Sequence, residues 1–440
     1  MAIKKLAAIG AFGVVAALTL SACSGSTGSG QGAAPSDGKV PQVDGKGQKI
    51  TVWVMDGDYT TETLDAINAK FTEKTGAEVN LQVQTWDGIT TKITTALATD
   101  TPPDVVDVGN TQVASYGANG GLFDLSAYKD DLAQGQTWLD GLVDPATISG
   151  SLYGVPGFAG ARAVVYNKTM WAAAGVTEAP TTYEELTAAL DKVKAANAQT
   201  ADFAPFYLPG QYWFAGLQFV WDAGGSIATE KDGSWTSTFG SEASIKGLRT
   251  FQSFQNEYST AASSTLDTLE PNQSQIFADG KTSAILNTNT AAILKIDPTL
   301  EDDLGTFPFP GQSGESQPVM LGGSDWAIPV KSQHSDLALN WVKIAASPEI
   351  QKDYVFGVDG WIPNSAEGIA FAQESLDEVK ASFFTAALNS QATPANANWT
   401  TIESNKAINN LFSSIASGSK SVQEAADDFD VAADKTLNTK

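Results

Sequence analysis

The sequence contains a single cysteine, Cys23, and a single histidine, His334. A zinc site of cysteine and histidine ligands, a disulfide framework and a Cys–His nucleophile pair are therefore excluded. Positive charge is also scarce, because 26 lysine and arginine residues stand against 50 acidic residues and leave a net charge of -24. Binding to nucleic acid or to anionic lipid surfaces depends on basic patches. We therefore expect neither kind of partner.

The composition that remains is that of a globular protein. Charged residues make up only 17% of the chain and hydrophobic residues 42%, which argues against disorder. A chain of 440 residues is long enough to form two domains with large cores.

The N-terminus has the features of an export signal. Lys4 and Lys5 precede a short apolar stretch, residues 6–20, which is too short to read as a membrane span. Residues 20–23 (Leu-Ser-Ala-Cys) resemble the bacterial lipobox, in which the cysteine is lipidated and becomes the first residue of the mature protein. We predict a signal peptide over 1–22, a lipid on Cys23, and no other membrane contact. Residues 23–48, rich in Gly, Ser and Pro, are predicted to be a flexible tether at the outer face of the cell membrane.

Strands and helices alternate in residues 50–108. Residues 50–55 and 105–108 are predicted to form buried strands, residues 79–83 alternate as a third strand, and amphipathic helices lie between them. This order predicts an α/β fold with a mostly parallel sheet flanked by helices. Ligands of such sheets bind beyond the carboxyl ends of the strands. At each of these ends the side chain either contacts a ligand or caps the next helix, and the residues concerned are Asp56, Asp58, Trp86, Asp87, Asn110 and Gln112.

Residues 322–329 (Gly-Gly-Ser-Asp-Trp-Ala-Ile-Pro) form a second informative stretch. The two glycines and Pro329 disfavour a helix, so we predict a strand or a segment that crosses between domains. Asp325 accepts hydrogen bonds and Trp326 offers a flat apolar face, which together suit a hydroxyl-rich ligand such as a sugar. A buried structural tryptophan beside a turn aspartate is the alternative, and these residues alone do not decide between the two.

Several short motifs occur in a characteristic order. They are residues 103–106 (PDVV), 120–125 (GGLFDL), 152–156 (LYGVP), 164–168 (VVYNK), 180–186 (PTTYEEL) and 277–284 (FADGKTSA). Together they resemble the extracellular solute-binding proteins of bacterial sugar ABC importers, the class that includes maltose-binding protein. The likeness extends over nearly the whole chain from Lys49 onward.

The resemblance implies a two-lobe fold with a cleft between the lobes. On this basis we predict a first lobe of residues 49–158 and 325–370 and a second lobe of residues 159–324 and 371–440, with hinge crossings near 156–162, 319–325 and 370. It also implies a monomer without a cofactor that captures a short oligosaccharide and delivers it to a membrane permease. A secreted glycoside hydrolase and a binder of non-sugar solutes are the alternatives, because 50 acidic residues leave room for a catalytic carboxylate pair.

The resemblance also suggests which residues contact the sugar. Trp213, or Tyr212 as second choice, lies where maltose-binding protein has a ring-stacking aromatic, although core packing stays open for Trp213. Trp399 lies where that protein has a stacking tryptophan, and Asn289 lies close to a position where the family often has one. The further candidates for hydrogen bonding or stacking are Asp58, Asn110, Asp325, Trp326, Trp361 and Asn396.

Overall fold

A computed structural model describes residues 37–439. The predicted signal peptide and Cys23 lie outside the described residues. The first part of the chain forms β1 (Lys49–Met55), α1 (Thr61–Thr75), β2 (Glu78–Gln84), α2 (Ile89–Ala98), β3 (Val105–Gly109), α3 (Val113–Ala118), α4 (Lys129–Ala133), α5 (Asp140–Val143), β4 (Thr147–Ile148), β5 (Ser151–Leu152) and β6 (Val155–Gly160). A 3-10 turn, Asn110–Gln112, joins β3 to α3.

The middle of the chain carries smaller strands and longer helices. Its elements are β7 (Ala163–Asn167), α6 (Lys168–Ala173), α7 (Tyr183–Ala196), α8 (Trp213–Asp222), β8 (Ala228–Lys231), β9 (Ser234–Ser237), α9 (Glu242–Tyr258), α10 (Gln273–Ala278), β10 (Ala284–Asn287), α11 (Ala291–Ile296), β11 (Leu304–Phe307) and β12 (Val319–Met320). The last part forms β13 (Gly322–Ala327), α12 (Ser335–Ala345), α13 (Pro348–Ile350), α14 (Ala366–Gln373), α15 (Glu378–Ala387), β14 (Ser390–Gln391), α16 (Trp399–Ser404), α17 (Ala407–Ala416) and α18 (Val422–Leu437).

The first lobe is built on a five-stranded sheet in the order β2-β1-β3-β13-β6. β1 runs parallel to β2 and β3, as the sequence predicted, and β13 returns antiparallel between β3 and β6. Capping residues fix both ends of α1. The Thr60 side chain caps the start of α1, and Gly76 ends that helix in the left-handed conformation at φ 75°.

The second lobe is built on a three-stranded sheet in the order β10-β7-β11. Both neighbours run antiparallel to β7, so the prediction of a mostly parallel sheet is wrong for this lobe. The reason is the connection between the lobes. β7 leads away from the hinge, and β10 and β11 return toward it, since Asn287 at the end of β10 pairs with Ala163 at the start of β7.

Each lobe has its own apolar core, and a third cluster joins them behind the crossing strands. Trp326 and Trp341 are buried in the first core, and Trp171 and Trp399 in the second. Alternate residues of β6 and β7, including Ala159 and Ala163, face the third cluster with the aromatic side chains of α15. On the opposite face of the same strands, Phe158 packs in the first core and Val164 in the second.

Residues 37–48 lie against the first lobe. The Val40 N–H donates to Asp131 Oδ2 at 2.9 Å, and Lys39 and Lys343 form ion pairs with the same carboxylate at 3.1 and 2.6 Å. Burial alone would raise the pKa of Asp131, but these hydrogen bonds outweigh it and hold the pKa at about 2. Asn340 also donates to the Pro41 carbonyl oxygen at 2.8 Å. Val40 and Pro41, which the sequence analysis included in the tether, are thus attached to the first lobe.

Within residues 37–439, no helix combines the length and the apolar character that crossing a bilayer would require.

Candidate binding cleft

The crossing segments form the floor of a cleft between the two lobes. β13 pairs with β6, so that Gly322 lies opposite Gly160 where both strands leave the first lobe. Gly323 has φ 136°, and an added Cβ would collide with the Phe158 carbonyl oxygen, so only glycine fits this position. A third crossing runs beside β6, where the Ala159 N–H donates to the Ile362 carbonyl oxygen at 2.9 Å.

The first wall of the cleft is centred on Asp58, in the loop after β1. Its carboxylate accepts hydrogen bonds from Ser324 Oγ at 2.7 Å and from Trp86 Nε1 at 3.3 Å. Its carbonyl oxygen accepts a hydrogen bond from Trp361 Nε1 at 2.7 Å. Two indoles are thereby held on one aspartate at the carboxyl edge of the sheet, where the sequence predicted ligand contacts.

Both indoles keep an accessible ring surface. Trp86 is 40% exposed, and its ring lies against Gly109 at the end of β3. Trp361 is half-buried and stacks on Phe158 with ring centroids 4.7 Å apart. Such surfaces suit the stacking of a flat apolar ligand face. The sequence analysis noted Trp86 only as a strand-end residue and did not include it among the favoured contacts.

Acidic groups lie directly beneath this wall. Burial raises the pKa of Asp58, and hydrogen bonds from Ser324 and Trp86 partly offset that rise. Burial and then the charge of Asp58 raise the pKa of the fully buried Asp107 well above its usual range. Of the two carboxyl groups, Asp107 is thus the more readily protonated, and Asp58 accepts the hydrogen bonds from Ser324 and Trp86.

The second wall begins with Arg162, in the crossing between β6 and β7. Its guanidinium lies 4.2 Å from the centroid of the Phe214 ring, and its Nε donates to Tyr212 Oη at 2.9 Å. The Tyr212 hydroxyl in turn donates to the Leu286 carbonyl oxygen at 3.3 Å. Tyr212 therefore orients Arg162, and Phe214 presents a half-buried ring beside it.

Trp213 and Trp399 form a buried pair behind that wall. The two rings meet edge to face with centroids 6.3 Å apart, and Trp213 also packs on Phe214 at 3.9 Å. Trp213 is 6% exposed and Trp399 is fully buried. α8 begins at Trp213, and this helix carries the indole into the core. In this conformation the two tryptophans support the wall and do not form its surface.

The two walls meet at Glu403 of α16. Its Oε1 accepts a hydrogen bond from Trp399 Nε1 at 2.6 Å, and its Oε2 lies 3.5 Å from Thr111 Oγ1 on the first lobe. Burial raises the pKa of Glu403 to about 7, although its hydrogen bonds to these neutral groups act in the opposite direction. The sequence analysis missed Glu403. The available signal was its position four residues after Trp399, which puts both side chains on the same helix face.

Two cavities are lined in part by residues that the sequence analysis named as contacts. One of about 570 Å³ lies between Trp361 and Gly160 of the first lobe and Asn289 and Phe383 of the second. Asn289 is exposed there, and its Oδ1 accepts a hydrogen bond from the Ala291 N–H at 3.0 Å. Another cavity, of about 740 Å³, includes Asn396, which is buried and donates to the Leu437 carbonyl oxygen at 3.0 Å.

Three predicted contact residues lie away from the cleft surface. Asp325 and Trp326 are fully buried, because β13 continues from the cleft into the first core. Trp326 stacks on Tyr59 with centroids 5.0 Å apart. Asn110 is also buried and donates to the Leu321 carbonyl oxygen at 2.9 Å. Burial in these positions favours a structural role over direct contact with a ligand.

Asp325 is unusual because it lacks a compensating partner. Neither of its carboxyl oxygens has a hydrogen-bond partner among residues 37–439. Burial raises the pKa of Asp325 well above its usual range, so the neutral acid is the form that this core accommodates. Among the same residues, no group of three histidine, cysteine or acidic side chains is arranged to hold a metal ion.

Two α/β lobes, three crossing segments and a cleft lined by indoles, an arginine and carboxylates define a two-lobed binding protein. The chain belongs to the family of bacterial extracellular solute-binding proteins, whose family model matches residues 57–352. It is 35% identical over 365 residues, 82% of each chain, to the diacetylchitobiose binding protein DasA of Streptomyces coelicolor. The family prediction is thereby confirmed.

Solved structures show the same fold. The sugar-binding protein MalE from Xanthomonas citri superimposes with a TM-score of 0.76 at 21% identity, over 89% of this chain and 97% of that protein. The maltose-binding periplasmic protein MalE from Listeria monocytogenes in complex with maltose gives a TM-score of 0.75 at 18% identity, over 89% and 99%. The predicted two-lobe α/β fold is therefore confirmed.

Proposed function

We propose that this protein is the substrate-binding component of an ABC importer and captures a short oligosaccharide in the cleft between its lobes. The observation that carries this proposal is the 35% identity to a diacetylchitobiose binding protein over four fifths of both chains. Diacetylchitobiose is accordingly the first ligand to test.

The chemistry of the cleft is consistent with a sugar. The C–H faces of a sugar ring pack on the accessible rings of Trp86 and Trp361, while its hydroxyls need hydrogen-bond partners. Asp58 is an acceptor for those hydroxyls and Arg162 is a donor. A ligand that touches both walls has more contacts in a closed conformation, and so its binding shifts the population toward closure.

The same proposal includes export and anchoring. The lipobox-like segment before Cys23 supports a lipid on that residue, at the outer face of the cell membrane. The closed monomer would then present its ligand to a membrane permease. We take the lobes to comprise residues 49–158 with 325–370 and residues 159–324 with 371–440.

Calorimetry and scattering test the binding proposal together. The protein without its first 22 residues is titrated with diacetylchitobiose and with maltose, and its radius of gyration is measured with and without ligand. We expect saturable binding of a sugar and a smaller radius of gyration in the complex. No binding of any short oligosaccharide, or release of monosaccharides during incubation, would refute the proposal, and the second result would favour a glycoside hydrolase.

The anchor is tested separately in cells. The Cys23→Ala variant should leave the membrane fraction, whereas the wild-type protein should stay there and carry a lipid mass on its N-terminal peptide. An unmodified N-terminal peptide from the wild-type protein would refute the anchor without affecting the binding proposal.

A further inference from the structure

Glu403 is the carboxylate at the place where the two lobes approach each other. It lies on α16 of the second lobe and reaches toward Thr111, in the 3-10 turn that follows β3 of the first lobe. The hydrogen bond from Trp399 fixes one oxygen of this carboxylate, and the other oxygen is directed toward Thr111 of the first lobe.

The two oxygens of this carboxylate differ in how well they are satisfied. Oε1 accepts a short hydrogen bond of 2.6 Å from the indole N–H of Trp399. Oε2 has only the Thr111 hydroxyl at 3.5 Å, which is longer than a good hydrogen bond between oxygens. Each carboxylate oxygen can accept two hydrogen bonds. Oε2 therefore has capacity for a further donor on the cleft side.

The surroundings of Glu403 offer no charge that neutralises it. α16 packs against the 3-10 turn Asn110–Gln112, α17 and α18, and the first two carry no ionisable side chain. The ionisable side chains of α18 are Glu424, Asp427, Asp428, Asp430, Asp434 and Lys435. Asp430 and Asp434 accept hydrogen bonds from Ser237 and Asp428 pairs with Lys420, so they are engaged elsewhere. Burial raises the pKa of Glu403, and the hydrogen bonds from Trp399 and Thr111 lower it.

We propose that Glu403 is a specificity-determining residue whose ionised carboxylate accepts a hydrogen bond from the N–H of an acetamido group on the bound sugar. This inference rests on the proposed function and names the chemical group that the cleft selects. An amide N–H can only donate, and a carboxylate can only accept, so the two are complementary. The bond is charge-assisted and stronger than one between neutral groups.

The remainder of an acetamido group also fits this corner of the cleft. Its methyl group is apolar, and the methyl of Thr111 is an apolar group beside Glu403 Oε2. A sugar with a hydroxyl in the same position would supply a donor but not the apolar group. The pair of diacetylchitobiose and cellobiose isolates this difference, because cellobiose has hydroxyls in place of both acetamido groups.

The pH dependence of binding has a defined sign. Binding requires the ionised form, and the pKa of Glu403 in the free protein is about 7. Affinity should therefore be constant above pH 8 and fall by about tenfold between pH 8 and pH 6, since one pH unit below the pKa leaves about a tenth of the group ionised. Asp58 on the opposite wall also has a raised pKa. The pH dependence of binding that remains in a variant without the Glu403 carboxylate measures the contribution of Asp58.

Calorimetry with both disaccharides at pH 6, 7 and 8 tests the inference. The wild-type protein should prefer diacetylchitobiose and show the tenfold fall in affinity. Glu403→Gln, which keeps the shape of the side chain, should lose at least about fivefold of that preference and most of the pH dependence. Glu257→Gln is the matched control, because Glu257 is exposed on α9 and pairs with Lys194. It should behave like the wild type.

Each outcome is decisive for one proposal. If Glu403→Gln keeps the full preference and the same pH profile, the role of Glu403 is refuted while the proposed function stands. If the wild-type protein binds neither disaccharide but binds maltose, the role of Glu403 is refuted while the proposed function stands. If it binds no short oligosaccharide, the proposed function fails first. If Glu403→Gln does not fold, the wild-type pH series decides, because an affinity for diacetylchitobiose that does not change between pH 8 and pH 6 would overturn the inference.

Discussion

The two walls of the cleft hold their tryptophans in opposite ways. On the first lobe, Trp86 and Trp361 donate hydrogen bonds to Asp58 and keep accessible rings. On the second lobe, Trp213 and Trp399 pack on each other and are buried. In the first wall, one aspartate thus holds two indoles at the surface. In the second wall, two buried indoles support Arg162, Phe214 and Glu403.

The difference shows that an indole near a cleft has two separable uses. An exposed ring stabilises the complex with a ligand and costs the folded protein little when removed. A buried ring stabilises the fold and affects binding only through the residues it supports. Substitutions on the two walls should therefore separate stability from affinity.

The largest expected effect is on the stability of the second wall. Trp399→Ala removes a fully buried indole and should lower the free energy of unfolding by about 3–5 kcal/mol. Urea denaturation followed by circular dichroism measures this. Trp86→Ala serves as the comparison and should lose less than about 1 kcal/mol, since 40% of that side chain is already exposed. Equal losses in the two variants would remove the distinction between the walls.

The affinity for the ligand should depend directly on the first wall, which is the reverse of the order expected for stability. Trp86→Ala removes a stacking surface, which by area is worth roughly 1.5–3 kcal/mol when buried by a ligand. We expect the dissociation constant for diacetylchitobiose to rise by at least about tenfold. Isothermal titration calorimetry gives the value, and an unchanged constant would show that the first wall does not contact the sugar.

A smaller effect is expected from the aspartate that holds the first wall together. Asp58→Asn keeps the size of the side chain but replaces a charged acceptor by a neutral one, at a cost of roughly 1 kcal/mol in binding. The exposed Asp87→Asn is the control, because it lies next to Trp86 in sequence and changes the net charge by the same amount. If Asp58→Asn and Asp87→Asn weaken binding equally, the loss of affinity comes from the change in net charge and not from the loss of a charged acceptor at Asp58.

The smallest effect concerns Asp325, which is buried behind the first wall. Its raised pKa means that the folded protein binds a proton that the unfolded chain releases, so stability falls as pH rises above the ordinary aspartate value. Asp325→Asn should remove this contribution and make unfolding less dependent on pH between 5 and 8. Thermal melting at several pH values measures the slope. A variant with the wild-type slope would show that Asp325 is ionised in the core.

Sequence patterns predicted the first lobe better than the second. The succession from β1 to β3 depends on neighbouring residues and is present in the structure. The strand-end rule also led to Asp58 and Trp86. The burial of Trp399 depends on α17 and α18, which follow it in the chain and pack across it. No local pattern contains that information.

The position of Asp325 shows why the sequence alone does not locate every predicted contact residue. Asp325 follows the crossing glycines by two residues, and whether it faces the cleft or the core depends on where β13 enters the sheet. A register irregularity between Ser324 and Asp325 carries the serine to Asp58 and the aspartate into the core. A shift of one residue changes the face of a strand that a side chain occupies, and the sequence does not specify it.

The attachment of Lys39 and Val40 to Asp131 has a mechanical consequence. The pKa of about 2 keeps this carboxylate ionised at any pH that a cell surface meets, so the junction persists when the surroundings acidify. With a lipid on Cys23, any pull on the leading segment is transmitted to the first lobe and to no other part of the molecule. The first lobe would then be the stationary half at the membrane, and the second lobe would swing during each cycle of capture and release.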